Sequence, residues 1–218
     1  MAKREYRLGA RAVAAQQTRE AILQAAEEQL GDRWFDEVTV ADIARAAGVA
    51  QQTVVNHFGS KEQLYLLGLV ERVGPRIAAA RATASVGDVR SIVSTAVDEY
   101  ERTGTSTWRM LALADRYETL AEAARYGREA HRTWVGRVFA PQLEHVGATH
   151  QDRLVRLLAT VLDVLTWYQL RHSDGADVAA VKRDLERLVG AVLTAEGVPV
   201  AASEPSGPSD TPQKPRQQ

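Results

Sequence analysis

The sequence predicts an all-α protein, and three observations predict it. No segment alternates apolar and polar residues for long. The helix formers Ala, Leu, Arg and Glu dominate the composition. Apolar residues recur at steps of three and four through most of the chain. With 218 residues, 45% of them hydrophobic, the chain can build a sizeable core, as one larger domain or as a small domain joined to a larger one. It contains no cysteine, which excludes disulfides, thiolate zinc sites and cysteine nucleophiles. No apolar run of signal-peptide or membrane-span length is present, so a soluble, cytoplasmic protein with no membrane partner is expected. The formal net charge is −1, which gives no global attraction to nucleic acid. Locally the balance differs: Lys3, Arg4, Arg7, Arg11 and Arg19 face only Glu5 in the first nineteen residues, and a local basic segment can meet phosphates.

The elements follow in order. A first helix is expected from about Thr18 to Leu30, because Ile22, Ala25, Ala26 and Leu30 share a face, with Gly31 as its stop. Trp34 and Phe35 are expected to pack into the core of a small domain. Thr39 precedes VADIARAA with Asp42 three residues on, a capping-box pattern. Val40, Ile43, Ala44 and Ala47 form the buried face of that helix, and Gly48 ends it in a left-handed conformation. The next helix runs from about Gln51 to His57, with Val54 and Phe58 inward. Ser60 caps a fourth helix that passes Pro75. Longer amphipathic helices are expected near 88–103, 106–115, 117–145, 150–172 and 177–196, with Gly104, Gly147 and Ser173-Asp174-Gly175 as punctuation. Beyond Gly197 the chain turns rich in Pro and Ser and lacks bulky apolar residues, the composition of a disordered tail.

Residues 39–61, TVADIARAAGVAQQTVVNHFGSK, therefore read as two short helices joined by a tight glycine turn, a helix-turn-helix. Ala44 and Gly48 let the two helices approach closely. The second helix is anchored by Val54 and Phe58 and presents Gln51, Gln52, Thr53 and Asn56 outward. Gln and Asn can pair bidentately with adenine in a major groove, and Thr can touch a thymine methyl or a phosphate. Thr39 and the first-turn amides of its helix can hold a phosphate, and His57 and Lys61 sit where backbone contacts are expected. A plain helical hairpin with a solvated polar face is the competing reading.

The stretch TREAILQAAEEQL…FDEVTVADIARAAGVAQQTVVNHFGSKEQLYLLG, about residues 18 to 70, resembles the N-terminal domain of the TetR family of transcriptional regulators. The resemblance implies a three-helix DNA-binding head on a larger helical domain that binds a small molecule. It further implies a homodimeric repressor released from its palindromic, double-stranded DNA operator by that effector. It makes Thr39 a phosphate-contacting cap, and Gln51, Gln52, Thr53, Val55 and Asn56 the recognition surface. His57 and Lys61 match phosphate-contacting positions of the family. The sequence departs from the family pattern at Ala50, where a capping Ser is usual, and at Gln52, where Gly is frequent. Val55 and Asn56 replace frequent aromatics, and Trp34 stands at a common Gly position. The basic arm carrying Arg4, Arg7 and Arg11 is longer than the minimal head and can add minor-groove or phosphate contacts.

In the C-terminal part, Leu154, Leu157, Leu158, Val161, Leu165 and Tyr168 form one helical stripe, and Val178, Val181, Leu185, Leu188 and Val192 another, with a/d-like steps. They can be core helices of one chain; the resemblance implies that they pair with twofold mates in a four-helix bundle. Trp108, Tyr117, Tyr126, His131, Trp134 and Trp167, with Leu111, are the candidate lining of a small-molecule pocket. The expected organisation is a basic flexible arm over 1–17 and a helix-turn-helix domain over 18–64. A ligand-binding and dimerisation domain over 65–197 and a tail over 198–218 complete it. No enzyme is expected: no Glu-x-x-His pair suits a di-iron bundle, and no glycine-rich phosphate loop occurs. The histidines are scattered, so neither metal nor cofactor is expected. The alternatives are a DNA-binding regulator without a ligand, and a helical enzyme or carrier whose hairpin is incidental.

Overall fold

The computed structural model describes the backbone of residues 2–198 and the side chains of residues 12–198. All regular elements among them are helices: α1 (Ala2–Asp32), α2 (Val40–Ala46), α3 (Gln51–Phe58), α4 (Lys61–Gly68), α5 (Gly74–Arg81), α6 (Val89–Ala112), α7 (Glu118–Val138), α8 (Ala140–Leu143), α9 (Ala148–Val161), α10 (Val164–Tyr168) and α11 (Val178–Ala195). None is long and apolar enough to cross a membrane. The side chains of Arg4, Arg7 and Arg11 lie outside the described residues, as does the expected tail from residue 199 on. Val198, placed in that tail by composition, is buried against the body, its N–H bonded to Leu193 O at 2.9 Å.

The head is built by α1 to α4 around Ile22, Leu23, Ala26, Ile43, Val54, Phe58 and Leu64. Helix α1 begins at Ala2 rather than near Thr18. No proline interrupts the segment before Thr18, and its Ala, Arg and Gln are strong helix formers, so nothing stops the helix there. At the other end Gly31 does not take the left-handed conformation that would make it a stop. Gly48 does, at φ +69°, and the turn closes with Val49 N–H on Ala44 O at 3.0 Å.

Between α4 and α5 the chain widens into a π-type turn over Leu69–Val73, where Gly74 N–H reaches back to Leu69 O. Pro75 has no N–H to donate and would clash in a regular turn, so the helix loosens just ahead of it. This segment is tied to α1 by ion pairs: Arg19 with Glu71, Arg72 with Glu20 and Glu27, and Arg76 with Glu27.

The body core joins α6, α7, α9, α10 and α11. Two expectations are corrected, one break that is absent and one that is new. Gly104 does not end a helix; α6 runs through it, and the absent side chain makes room for Trp167. A Cβ at residue 104 would stand 2.3 Å from the Trp167 ring. Conversely, the expected helix over 150–172 breaks at Leu162-Asp163. Side chains take up the carbonyls freed there: His131 Nε2 meets Ala159 O at 3.0 Å, Thr166 donates to Thr160 O at 2.9 Å, and Tyr100 donates to Leu162 O at 2.9 Å. Asp163 then caps α10 by accepting from Leu165 N–H at 2.8 Å. Buried backbone carbonyls need partners, and these come from elements distant in sequence.

Trp34 and Phe35 also sit elsewhere than expected. Phe35 is buried between head and body, against Leu113 and Leu120, with Tyr65 and Tyr117 edge-on at 5.6 and 5.4 Å. Trp34 meets Trp108 of α6 at 5.5 Å. Gly104→Ala should destabilise the protein by about 1–3 kcal/mol through overpacking against Trp167. Denaturant unfolding followed by tryptophan fluorescence would read this, and an unchanged midpoint would contradict the packing role.

Candidate functional site

The first candidate surface is the outer side of α3. Val54 and Phe58 are buried, while Gln51, Gln52, Val55, Asn56 and His57 are exposed and Thr53 is partly so. Gln52 Nε2 donates to Asn56 Oδ1 at 3.0 Å, a pairing one turn apart that orients both amides on the exposed face. Ala50 supplies no side-chain cap to α3, so first-turn amides of that helix lack the partner a Ser would provide.

The start of α2 is rigid. Thr39 Oγ1 accepts from Asp42 N–H at 3.1 Å, and Asp42 Oδ2 accepts from Thr39 N–H at 3.0 Å and from Thr39 Oγ1 at 2.7 Å. Arg45 adds a bond to Asp42 Oδ1 at 2.9 Å. The Thr39 hydroxyl and amide, then Arg45, hold the Asp42 carboxyl down at about 2. The capping box is thus complete, and it places a carboxylate beside the exposed Thr39.

Lys61 is not a free surface cation. Its ammonium donates to Phe35 O at 2.6 Å and Val38 O at 2.9 Å, and stands 4.0 Å from the centre of the Phe35 ring. Burial lowers its pKa. Lys61 therefore clamps the loop between α1 and α2, the same loop that inserts Phe35 into the body.

The second candidate is a cavity of about 1020 Å³ between head and body, walled by α1, α4, α5, α6 and α7. Of the residues expected to line a pocket, Leu111, Tyr126, His131 and Trp134 do so. Trp108, Tyr117 and Trp167 do not line it. Trp108 stacks on Tyr168 at 4.3 Å, Tyr117 packs on Phe35, and Trp167 fills the seat left by Gly104. Aromatic enrichment alone cannot separate lining from core.

Apart from His131, the cavity's buried polar groups are not legible in the sequence. Arg81 and Glu99 form a buried ion pair at 2.8 Å, with Arg81 over the Trp134 ring and Trp134 Nε1 donating to Arg81 O at 3.1 Å. Removing one partner of such a pair costs about 3–5 kcal/mol. His131 is pushed down to about 4 by burial and by the Arg81 charge. It is neutral, and the Ala159 carbonyl makes Nε2 the protonated nitrogen. Its Nδ1 is then an acceptor, and it has no partner. Burial raises the Asp163 carboxyl at the same wall. Arg109, from α6, donates to Gly31 O at the end of α1, and its Nε has no partner.

The expected dimer seam divides. Leu154, Leu158, Val181 and Leu185 are buried in this chain's own core. Leu165 and Leu188 are 51% and 44% exposed, Val161, Tyr168 and Val192 are half-buried, and Leu157 of the same stripe is exposed on the same helix as Val161. A step of three and four marks an apolar stripe but not what covers it.

Residues 22–67 match the family model of bacterial regulatory proteins, tetR family. The HTH-type transcriptional regulator AlkX of Mycobacterium tuberculosis is 40% identical over 58 residues, 25% of this chain and 28% of that protein; the match thus spans little more than a quarter of that relative's length. Among solved structures, a transcriptional regulator from Rhodococcus sp. Rha1 aligns over 85% of this chain and 99% of its own, at 20% identity and a TM-score of 0.62. A SmeT–triclosan complex aligns over 90% of this chain and 99% of its own, at 19% identity and a TM-score of 0.61. At these identities the two structures share the fold.

Two tests follow from the head. Lys61→Met keeps the aliphatic stem but leaves two carbonyls without their donor, and should cost about 1–3 kcal/mol in denaturant unfolding; full stability in this variant would return Lys61 to the role of a free cation. The folded Asp42 carboxyl titrates at about 2, below the value of about 3.9 for an unfolded aspartate. Its contribution is complete above about pH 4 and is lost as pH falls through about 2. Acid titration of the far-ultraviolet circular dichroism should show a component in that window that Asp42→Ala removes.

Proposed function

We propose that the chain, whose residues 22–67 match the family model of bacterial regulatory proteins, tetR family, is a homodimeric repressor released from its operator by a small molecule. Helix α3 enters the major groove. Gln51, Gln52, Thr53, Val55 and Asn56 face the bases, while Thr39, His57 and the backbone at Ala50 meet phosphates. Arg4, Arg7 and Arg11 add contacts from the start of the chain. The outward apolar face carrying Leu157, Val161, Leu165, Leu188 and Val192 meets its twofold mate, so that two heads read an inverted repeat.

The observation that carries ligand release is the position of the cavity. It is walled by both the head, through Leu30, Gly31 and Tyr65, and the body, through Leu111, His131 and Trp134. An occupant touching both can alter how the head is held. A regulator without a ligand would be expected to fill this space with side chains. SmeT, which shares the fold, was solved with triclosan, so the architecture can house a small, largely apolar molecule.

Selection of bound DNA from a random pool at two salt concentrations tests the reading. The expected result is an enriched inverted repeat. Gln51→Ala and Gln52→Ala should each relax preference at a defined base by about 1–3 kcal/mol. Weak, salt-sensitive retention with no enriched sequence would count against operator recognition by α3.

A further inference from the structure

We propose that the cavity takes an organic carboxylate, an amphipathic acid whose ionised head pairs with Arg109 in competition with the Gly31 carbonyl. This inference rests on the cavity being an effector site. The cations along the cavity wall are not equivalent. Arg76 is paired with Glu27, and Arg81 with the buried Glu99. Arg109 lies among the half-buried residues of α6 and makes no ion pair among the described residues. One of its terminal nitrogens donates to Gly31 O, and its Nε is shielded from solvent without a partner.

A guanidinium offers five donors in a planar fork. One neutral carbonyl leaves all of the charge without a counter-charge; of the guanidinium nitrogens only Nε is shielded, so the terminal nitrogens of this half-buried side chain remain reachable from the cavity. A carboxylate supplies that counter-charge, through a bidentate pair. An alcohol could accept from a terminal nitrogen but would leave the charge. An amine placed at Arg109 would meet its charge, and could pair only with the carboxylates of the wall, among them Asp32, Glu129 and Asp163. His131 does not compete for an anion, because it is neutral and presents only an acceptor. The apolar body of the acid would lie along Leu69, Ile77 and Met110.

The same pairing links occupancy to the head. Gly31 O is one of the last carbonyls of α1, which have no partner within the helix. Arg109 is the group from the body that satisfies it. A carboxylate drawing the fork into the cavity removes that tie and frees the end of α1, next to the loop that carries Phe35.

Isothermal titration of the full chain with matched acid, alcohol and amine sets on octyl, decyl and naphthylmethyl skeletons would test this. On at least one skeleton the acid should bind about tenfold or more tightly than its alcohol and amine, as a charge-assisted pair requires. Arg109→Gln, which keeps a donor for Gly31 O, should bring acid and alcohol to within about threefold by removing only the charge and the fork. Should that variant fail to fold, Arg109→Lys should show a reduced acid preference. Alcohols or amines binding as well as acids on every skeleton would overturn the proposal. So would a preference for acid that survives loss of Arg109, or no acid binding at all. An operator-binding assay separates the two readings. Acids that bind without weakening DNA binding leave the carboxylate site standing and remove ligand release. A non-acid that releases DNA while acids do not bind does the reverse.

Discussion

The end of α1 sets where the head stands. Its last-turn carbonyls need donors, and the loop after it must place Trp34 and Phe35 without exposing them. Three unrelated segments meet the demand: Arg109 of α6 takes Gly31 O, Lys61 of α4 takes Phe35 O and Val38 O, and Tyr65, Leu113, Tyr117 and Leu120 enclose the Phe35 ring. Full burial of such a ring contributes about 1.5–3 kcal/mol. The head is therefore joined to the body by a small apolar plug, a few hydrogen bonds and the ion pairs between α1 and the segment that follows α4.

The cavity lies beside this joint, and its polar groups have distinct duties. Arg81 and Glu99 neutralise each other and brace Tyr100 and Trp134. His131 is committed at one nitrogen to the broken end of α9 and is kept neutral by burial and by Arg81. Only His131 Nδ1, Arg109 Nε and one amide oxygen, of Gln142, are shielded side-chain atoms without partners among the described residues. Two of these three belong to the cavity wall. A folded protein rarely leaves buried polar atoms unmatched, and both of these atoms are closed off by their neighbours, so an occupant of the cavity meets them only if the side chains shift.

The exposed leucines follow the same logic. Leu165 and Leu188 lie on helices whose opposite sides, through Val164, Trp167, Leu185 and Val189, are wholly committed to the core. The outward apolar face is thus surplus to the fold of one chain, as expected of a surface that a twofold mate covers.

Much was determined by the sequence alone, because it depends on neighbours along the chain. The capping box of Thr39 and Asp42, the left-handed Gly48, the inward Val54 and Phe58 and the Ser60 cap are all local, and the periods of the helices make them visible. What only the tertiary structure decided involves partners far apart in sequence. Gly104 looked like a helix end because glycine is flexible, and it proved to be the seat of Trp167. The break at Asp163 was hidden because Tyr100, His131 and Thr166 are what satisfy its carbonyls. The stripes of α9 and α11 could be seen, but the split between Leu185 in the core and Leu188 outside could not. Lys61 stands at a position that the family resemblance assigns to phosphate, and only the structure shows that its ammonium also holds two carbonyls of another loop. Periodicity records that a face is apolar and a cap is present; which distant group meets that face, or leaves it open, is settled only when the helices pack.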